Sequence, residues 1–225
     1  MGQFIAIEGG DGTGKGTHTA LLVEYLKAAG YNVLETDFPR YQEDSSYYVQ
    51  RYLNGAYGGP NDVPAELGSL PYALDRFAAK DDIIEHLKGD NSIVISNRYV
   101  ASNLAHQGTK LSDESERTMF YERTMKTEYQ ILGIPIPTTN IVLTMPATHM
   151  QANVDKKVAR SYTTSKRDIH EADARHLELA NNNYLELCTL YPDTYHQVNC
   201  ADTRSSLRSI DAIQAEIRSI VHPTE

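Results

Sequence analysis

The 225-residue sequence predicts an α/β protein, a five-stranded parallel sheet with helices on both faces. Three observations carry that prediction. Short apolar runs alternate with longer helical patterns along most of the chain. A glycine-rich turn ending in a lysine joins the first run to the first helix. The composition, 40% hydrophobic and 23% charged, is that of an ordinary globular chain long enough for one well-buried domain.

The elements follow in order. Phe4-Ile5-Ala6-Ile7 reads as the first strand. Leu21, Leu22, Tyr25, Leu26 and Ala29 then recur at helical spacing, and Gly30 ends that helix. Asn32 to Thr36 is a second strand, Ile93 to Ile95 a third that is apolar on both faces, Ile141 to Leu143 a fourth, and Tyr195 to Cys200 a weaker fifth. Helices are expected over Ala73 to Leu87 and Ser112 to Leu132. Two more are expected where Leu177, Ala180, Tyr184, Leu187 and Tyr191, and then Leu207, Ile210, Ile213, Ile217 and Val221, step by three and four. Ser45 to Pro64, rich in Tyr, Gly and Asn, reads as a helix followed by a loop.

Charge narrows the function. The formal net charge is -9, which disfavours non-specific nucleic-acid or membrane-surface binding. No apolar run approaches the ~18 residues of a membrane span. The N-terminus is expected to be neither a signal peptide nor a myristoylation signal, and the two cysteines, Cys188 and Cys200, fit a reducing cytoplasm. One segment runs against the acidic background. Lys156 to Arg175 holds six basic residues against three acidic ones.

The turn after the first strand, Gly9-Gly10-Asp11-Gly12-Thr13-Gly14-Lys15-Gly16-Thr17, matches G-x-x-x-x-G-K at Gly9, Gly14 and Lys15. Glycines let the backbone aim several N–H groups at one point, the new helix adds its positive end, and Lys15 adds a full charge for the β and γ phosphates. The dinucleotide pattern G-x-G-x-x-G fits in no register, which disfavours a dehydrogenase. Where Ser or Thr usually follows the lysine to bind Mg²⁺, the chain has Gly16, with Thr17 one place later. A P-loop NTPase-type three-layer fold is therefore expected.

A second site is legible at the other strand ends. Arg98 follows the third strand and sits where a doubly wound sheet opens its ligand crevice. Asn103 and His106 share one helical face, as do Tyr72 and Arg76. Phe38-Pro39-Arg40 follows the second strand. Each has a plainer reading: Phe38 and Tyr72 as core, Arg76 as the partner of an acid.

With these residues in place, the chain resembles the thymidylate kinases, P-loop enzymes that phosphorylate dTMP with ATP. The resemblance rests on Glu8-Gly9-x-Asp11-Gly12-x-Gly14-Lys15, Phe38-Pro39, Asp75-Arg76 and a lid closing at Asp168-x-x-Glu171. Its most specific block is Arg98-Tyr99-x-x-Ser102-Asn103-x-Ala105-x-Gln107-Gly108. It implies a single domain over 1–225 with a basic lid at about 156–171, the cofactors ATP and Mg²⁺, and a cytoplasmic homodimer. Residues Gly9 to Thr17 would hold ATP, and Thr17 and Asp11 would place Mg²⁺. Asp11 would also bind the sugar 3′-hydroxyl, Tyr72 stack on thymine, and Arg76 and Asn103 read the base. Arg98 would hold the monophosphate, with Arg40 as a second ligand. His106 would disfavour a ribose 2′-hydroxyl, and Phe38, Pro39 and Gln107 complete the dTMP site. Gly12 stands where some members carry an arginine, which makes the lid residues Arg160 and Arg167 the candidates for catalysis beside Lys15 and Arg98. Asn97 departs from the family, which usually has Asp before that Arg-Tyr to support Mg²⁺. The expected reaction is γ-phosphoryl transfer from MgATP to dTMP, with no general base because the acceptor is already an anion. The alternatives are a related deoxynucleotide or deoxynucleoside kinase of different base choice, a P-loop ATPase switch without an acceptor, and a protein that only binds nucleotide.

Overall fold

The computed structural model describes residues 2–59, 61–155 and 174–221. The expected lid with Arg160 and Arg167 lies outside the described residues. Five strands, β1 (Gln3–Gly9), β2 (Asn32–Asp37), β3 (Ser92–Asn97), β4 (Thr139–Thr144) and β5 (Tyr195–Asn199), form one parallel sheet in the order β2-β3-β1-β4-β5. All five fall where the apolar runs place them.

Side chains of alternate residues leave a strand on opposite faces, so each strand feeds two cores. Phe4, Ala6, Val94 and Val142 pack on one face with Leu104, Phe120, Tyr184 and Leu187. Ile5, Ile7, Ile93, Ile95, Ile141 and Leu143 pack on the other with Leu22, Leu26, Ile213 and Ile217. The first core is closed by α5 (Val100–Gly108), α6 (Glu114–Met125) and α8 (Ala174–Leu190), the second by α1 (Lys15–Ala28) and α9 (Ile210–Ile220). Gly30 takes φ 90° just beyond α1, the left-handed turn that ends a helix without steric cost.

Three stretches differ from the sequence expectation. The helix expected over Ala73 to Leu87 starts earlier and is two helices, α3 (Ala65–Ala78) and α4 (Lys80–Leu87), hinged at Ala79. Pro71 lies inside α3, and the residues it buries include Gly68, Ser69, Asp75 and Arg76, while Leu67, Leu70, Leu74 and Phe77 face outward. The helix expected over Ser112 to Leu132 is α6 followed by a π-helical stretch, Lys126–Ile131. A short helix, α7 (Ala147–Asp155), had no clear sequence signal. Ser45 to Pro64 contains α2 (Tyr47–Leu53) and then turns, as the composition suggests.

Candidate active site

The P-loop is built by close packing as much as by glycine freedom. Gly9, Gly12 and Gly14 take φ of 138°, 87° and 89°. A Cβ on Gly12 would come within 2.3 Å of the Met150 carbonyl oxygen of α7, and one on Gly10 within 2.2 Å of the Met150 methyl. Gly12 therefore has no room for the arginine that some thymidylate kinases carry there. Asn153 of α7 donates to the Gly12 carbonyl at 2.8 Å and pins the same turn. Thr13 is buried and donates its hydroxyl to the Gly10 carbonyl at 2.8 Å, and Lys15 Nζ donates to that oxygen at 2.8 Å. This folds the lysine back over the loop, at the N-terminus of α1. Gly16 is different. A Cβ there would meet nothing within 4 Å.

Asp11, Gly12, Gly14, Lys15, Gly16 and Thr17 line one side of an open cleft. Asp37 and Asn97, the last residues of β2 and β3 and register partners, line the other. A second, narrower cleft adjoins it. Asp11, Phe38, Pro39, Tyr41 and Arg98 line both. Tyr72, Arg76, Asn103, His106 and Gln107, all expected from the sequence, line the second cleft together with Leu53 and Ser102.

Arg98 stands between the two. Its own φ is 66°, a left-handed conformation rare for a non-glycine residue, and its N–H donates to the Ile7 carbonyl at 2.9 Å. Its guanidinium pairs with the Asp11 carboxylate and donates to Ser102 Oγ at 3.1 Å. Burial works against the cation, but the Asp11 carboxylate and the Tyr184 and Glu8 side chains more than offset it and hold Arg98 charged. Behind it the fully buried Glu8 accepts from the Tyr99 N–H at 2.7 Å and from Ser102 Oγ at 2.7 Å. Burial pushes the Glu8 carboxyl above its ordinary range. His106 Nε2 lies 3.3 Å from the Arg98 guanidinium and its Nδ1 3.1 Å from His176 Nε2, at the start of α8. Gln107 Oε1 accepts from the Tyr52 hydroxyl at 3.3 Å.

At the inner end Arg76 does pair with an acid, but a buried one. Its Nε and Nη2 reach the two carboxylate oxygens of Glu128 at 2.6 and 2.7 Å, and Nη1 reaches the Tyr99 carbonyl at 3.3 Å. Both side chains are 2% exposed or less. Burial opposes the Arg76 charge, and Glu128 outweighs it. Asn103 donates its amide to the Ser69 carbonyl at 3.0 Å and to Glu128 Oε1 at 2.9 Å. Those two bonds fix the orientation of the amide and leave Asn103 Oδ1 buried without a partner. Glu128 escaped the sequence reading. It is 52 residues from Arg76, and its π-helical backbone leaves no periodic mark.

Among the described residues expected as ligands, Arg40 lines neither cleft, and nor do Gly9, Gly10 and Thr13 of the P-loop. The Arg40 N–H and Nε are held by Asp75 at 2.7 and 3.2 Å, and Nη2 by Ser45 Oγ at 2.9 Å. That anchors the turn after Phe38-Pro39 to α3, with the guanidinium 5.9 Å from the centre of the Phe38 ring.

A P-loop at the end of a central parallel strand, with a second polar cleft sharing its wall, defines a P-loop nucleotide-binding protein with room for a second ligand. The sequence model of thymidylate kinases matches residues 7–204. The chain is 32% identical over 188 residues to the thymidylate kinase of Mycobacterium tuberculosis strain H37Rv, covering 82% of this chain and 85% of that protein. It is 25% identical over 223 residues to the thymidylate kinase of Bifidobacterium longum subsp. infantis, covering 98% and 88%. In fold it is similar to thymidylate kinase from Candida albicans (TM-score 0.72, 19% identity, 98% and 91% of the chains covered). It is also similar to the enzyme from Ehrlichia chaffeensis (TM-score 0.66, 19% identity, 98% and 99% covered). The chain belongs to the thymidylate kinase family.

Proposed function

We propose that Lys15, in the larger cleft, and Arg98, in the wall it shares with the second, carry the transfer of the ATP γ-phosphoryl group to dTMP, giving dTDP, the reaction of the family to which the chain belongs. The observation that carries this reading is that one wall, Asp11, Phe38, Pro39, Tyr41 and Arg98, bounds both clefts. Two anionic nucleotides lying in them would meet end to end at Arg98. Their mutual repulsion is the main obstacle, and positive groups held in place in a partly dry site remove it without reorganisation. Lys15 serves the donor phosphates. Arg98 serves the acceptor phosphate, which must replace the Asp11 carboxylate now on its guanidinium.

Base choice is argued from the inner cleft. Asn103 Oδ1 is a buried acceptor awaiting a donor, which the N3–H of a thymine ring supplies. Arg76 donates three of its five N–H groups to protein, which leaves donors for the neighbouring ring carbonyl. Cytosine presents an unprotonated N3 there and would leave Asn103 unpaired. Tyr72 offers a face for stacking, and His106 and Gln107 close the sugar end.

Magnesium fits the donor cleft. The groups around it, Thr17 Oγ1, the Asp37 carboxylate and a buried, unpartnered Asn97 Oδ1, are hard oxygen donors of the kind Mg²⁺ takes. Among the described residues no three His, Cys, Asp or Glu side chains cluster tightly enough to hold a metal alone. The ion would therefore come with the nucleotide and neutralise charge on the donor phosphates. On the resemblance alone, Arg160 and Arg167 join Lys15 and Arg98 as catalytic candidates of a single domain. No helix among the described residues is long and apolar enough to cross a membrane. A cytoplasmic enzyme without nucleic-acid partners fits the acidic charge.

The homodimer has support that the sequence did not show. Leu67, Leu70, Leu74 and Phe77 form an outward stripe on α3, 58%, 42%, 48% and 42% exposed. A self-complementary stripe of this kind suits a two-fold contact between copies.

The test is ADP release measured over dTMP, dUMP, dCMP and AMP. We expect dTMP to be used best. Asn103→Ala should raise the KM for dTMP by roughly 5- to 150-fold, the ~1–3 kcal/mol of one lost buried hydrogen bond, and leave the KM for ATP alone. Equal losses on both substrates would refute the base-reading role. Acceptor-independent hydrolysis would favour the switch ATPase.

A further inference from the structure

P-loop enzymes commonly place an acid at a strand end beside the lysine to support the nucleotide-bound magnesium. Here the third strand ends in an amide, Asn97, whose Oδ1 is buried without a hydrogen-bond partner. The carboxylate is one strand over. Asp37 ends β2, is the register partner of Asn97, and lines the same cleft as Lys15 and Thr17. Adjacent strands lie about 4.8 Å apart, so the charge has moved sideways by one strand spacing while staying at the same height above the P-loop. The Asp37 side chain is exposed and stands beside Asn97 at the rim of that cleft.

We propose that Asp37 is a positioning residue for the nucleotide-bound divalent cation, supplying through Asn97 and the metal's water shell the negative charge that Asn97 lacks. Mg²⁺ keeps several waters when bound, so an acid in the outer shell is enough to orient it. The inference rests on the P-loop reading of the site.

The experiment uses the full chain with the non-hydrolysable analogue AMP-PNP and Mn²⁺ as the probe, with free Mn²⁺ read by electron paramagnetic resonance. Asp37→Asn should weaken Mn²⁺ binding to the protein–nucleotide complex by about 10- to 100-fold, the range of lost outer-shell partners. AMP-PNP binding in EDTA should be undiminished. The exchange Asp37→Asn with Asn97→Asp should recover most of the loss, because it returns the charge to the neighbouring strand. Unchanged Mn²⁺ affinity in Asp37→Asn would overturn the proposal. So would an equal change in nucleotide affinity with and without metal, the mark of a residue that only balances Arg98 and Lys15. Thermal melts accompany both variants, and Asp37→Ser replaces Asp37→Asn if the latter does not fold. Lys15→Ala separates the two readings. If it leaves AMP-PNP binding intact, the P-loop assignment fails. If binding needs Lys15 while Mn²⁺ ignores Asp37, only the present inference fails.

Discussion

Arg98 reaches the wall between the two clefts from a backbone that most side chains avoid, and Glu8, Tyr99 and Ser102 brace it there through hydrogen bonds. Arg98 itself was legible, because a basic residue just past a buried strand in a parallel sheet faces the crevice. Its support was not, because Glu8 looks like the end of a strand and Ser102 like one helical residue among others. Arg40 carries a contact that the sequence does not announce. Its position after a strand suggested a ligand, and only the distance to Asp75 reveals a tether. Gly16 can be settled by substitution. The open space around it means Gly16→Ser should fold normally, with a gain of about 0.5 kcal/mol in helix propensity at α1. The added hydroxyl should tighten the half-saturating Mg²⁺ concentration by about 0.5–1.5 kcal/mol in the ADP-release assay. An unchanged titration would mean that Thr17 and its neighbours already satisfy the ion.

Among the elements, the strands were readable, and the helices around the acceptor cleft were read only in part, without the start of α3 at Ala65, its end at Ala79 or the π-helical stretch after α6. A continuous apolar run such as Ile93-Val94-Ile95 has few alternatives to a buried strand. α3 hid because it turns its polar residues inward. Asp75 and Arg76 are buried while Leu74 and Phe77 are exposed, the reverse of what periodicity assumes. α7, which closes the P-loop from above, is short and weakly apolar. The π-helical stretch after α6 widens the turn at Lys126–Ile131 and contains Glu128, which is fully buried beneath Arg76. Removing one partner of such a pair leaves an uncompensated buried charge. Glu128→Gln should therefore lose about 3–5 kcal/mol of stability in denaturant melts and release Asn103 from its fixed orientation. A loss below about 1 kcal/mol, the worth of an exposed pair, would show that Arg76 finds water or another acid instead.

For the whole molecule, both clefts open at the carboxyl ends of the strands, where the switch from β1 to β3 on one side and β4 on the other leaves a crevice. α3 serves two surfaces from there. One face carries Tyr72 and Arg76 into the acceptor cleft, and the other carries the leucine stripe outward. If that stripe joins two copies, the native chain should sediment as a dimer. Leu74→Asp should then convert it to a monomer without loss of helical circular dichroism, since Leu74 is 48% exposed. A native chain that sediments as a monomer would remove the dimer from the account.

The common wall of Asp11, Phe38, Pro39, Tyr41 and Arg98 has a cost for anyone reading kinetics from it. A lesion there cannot be charged to donor or acceptor alone. Saturation curves for the two nucleotides will shift together, and only changes deeper in either chamber will report on one guest without disturbing the other.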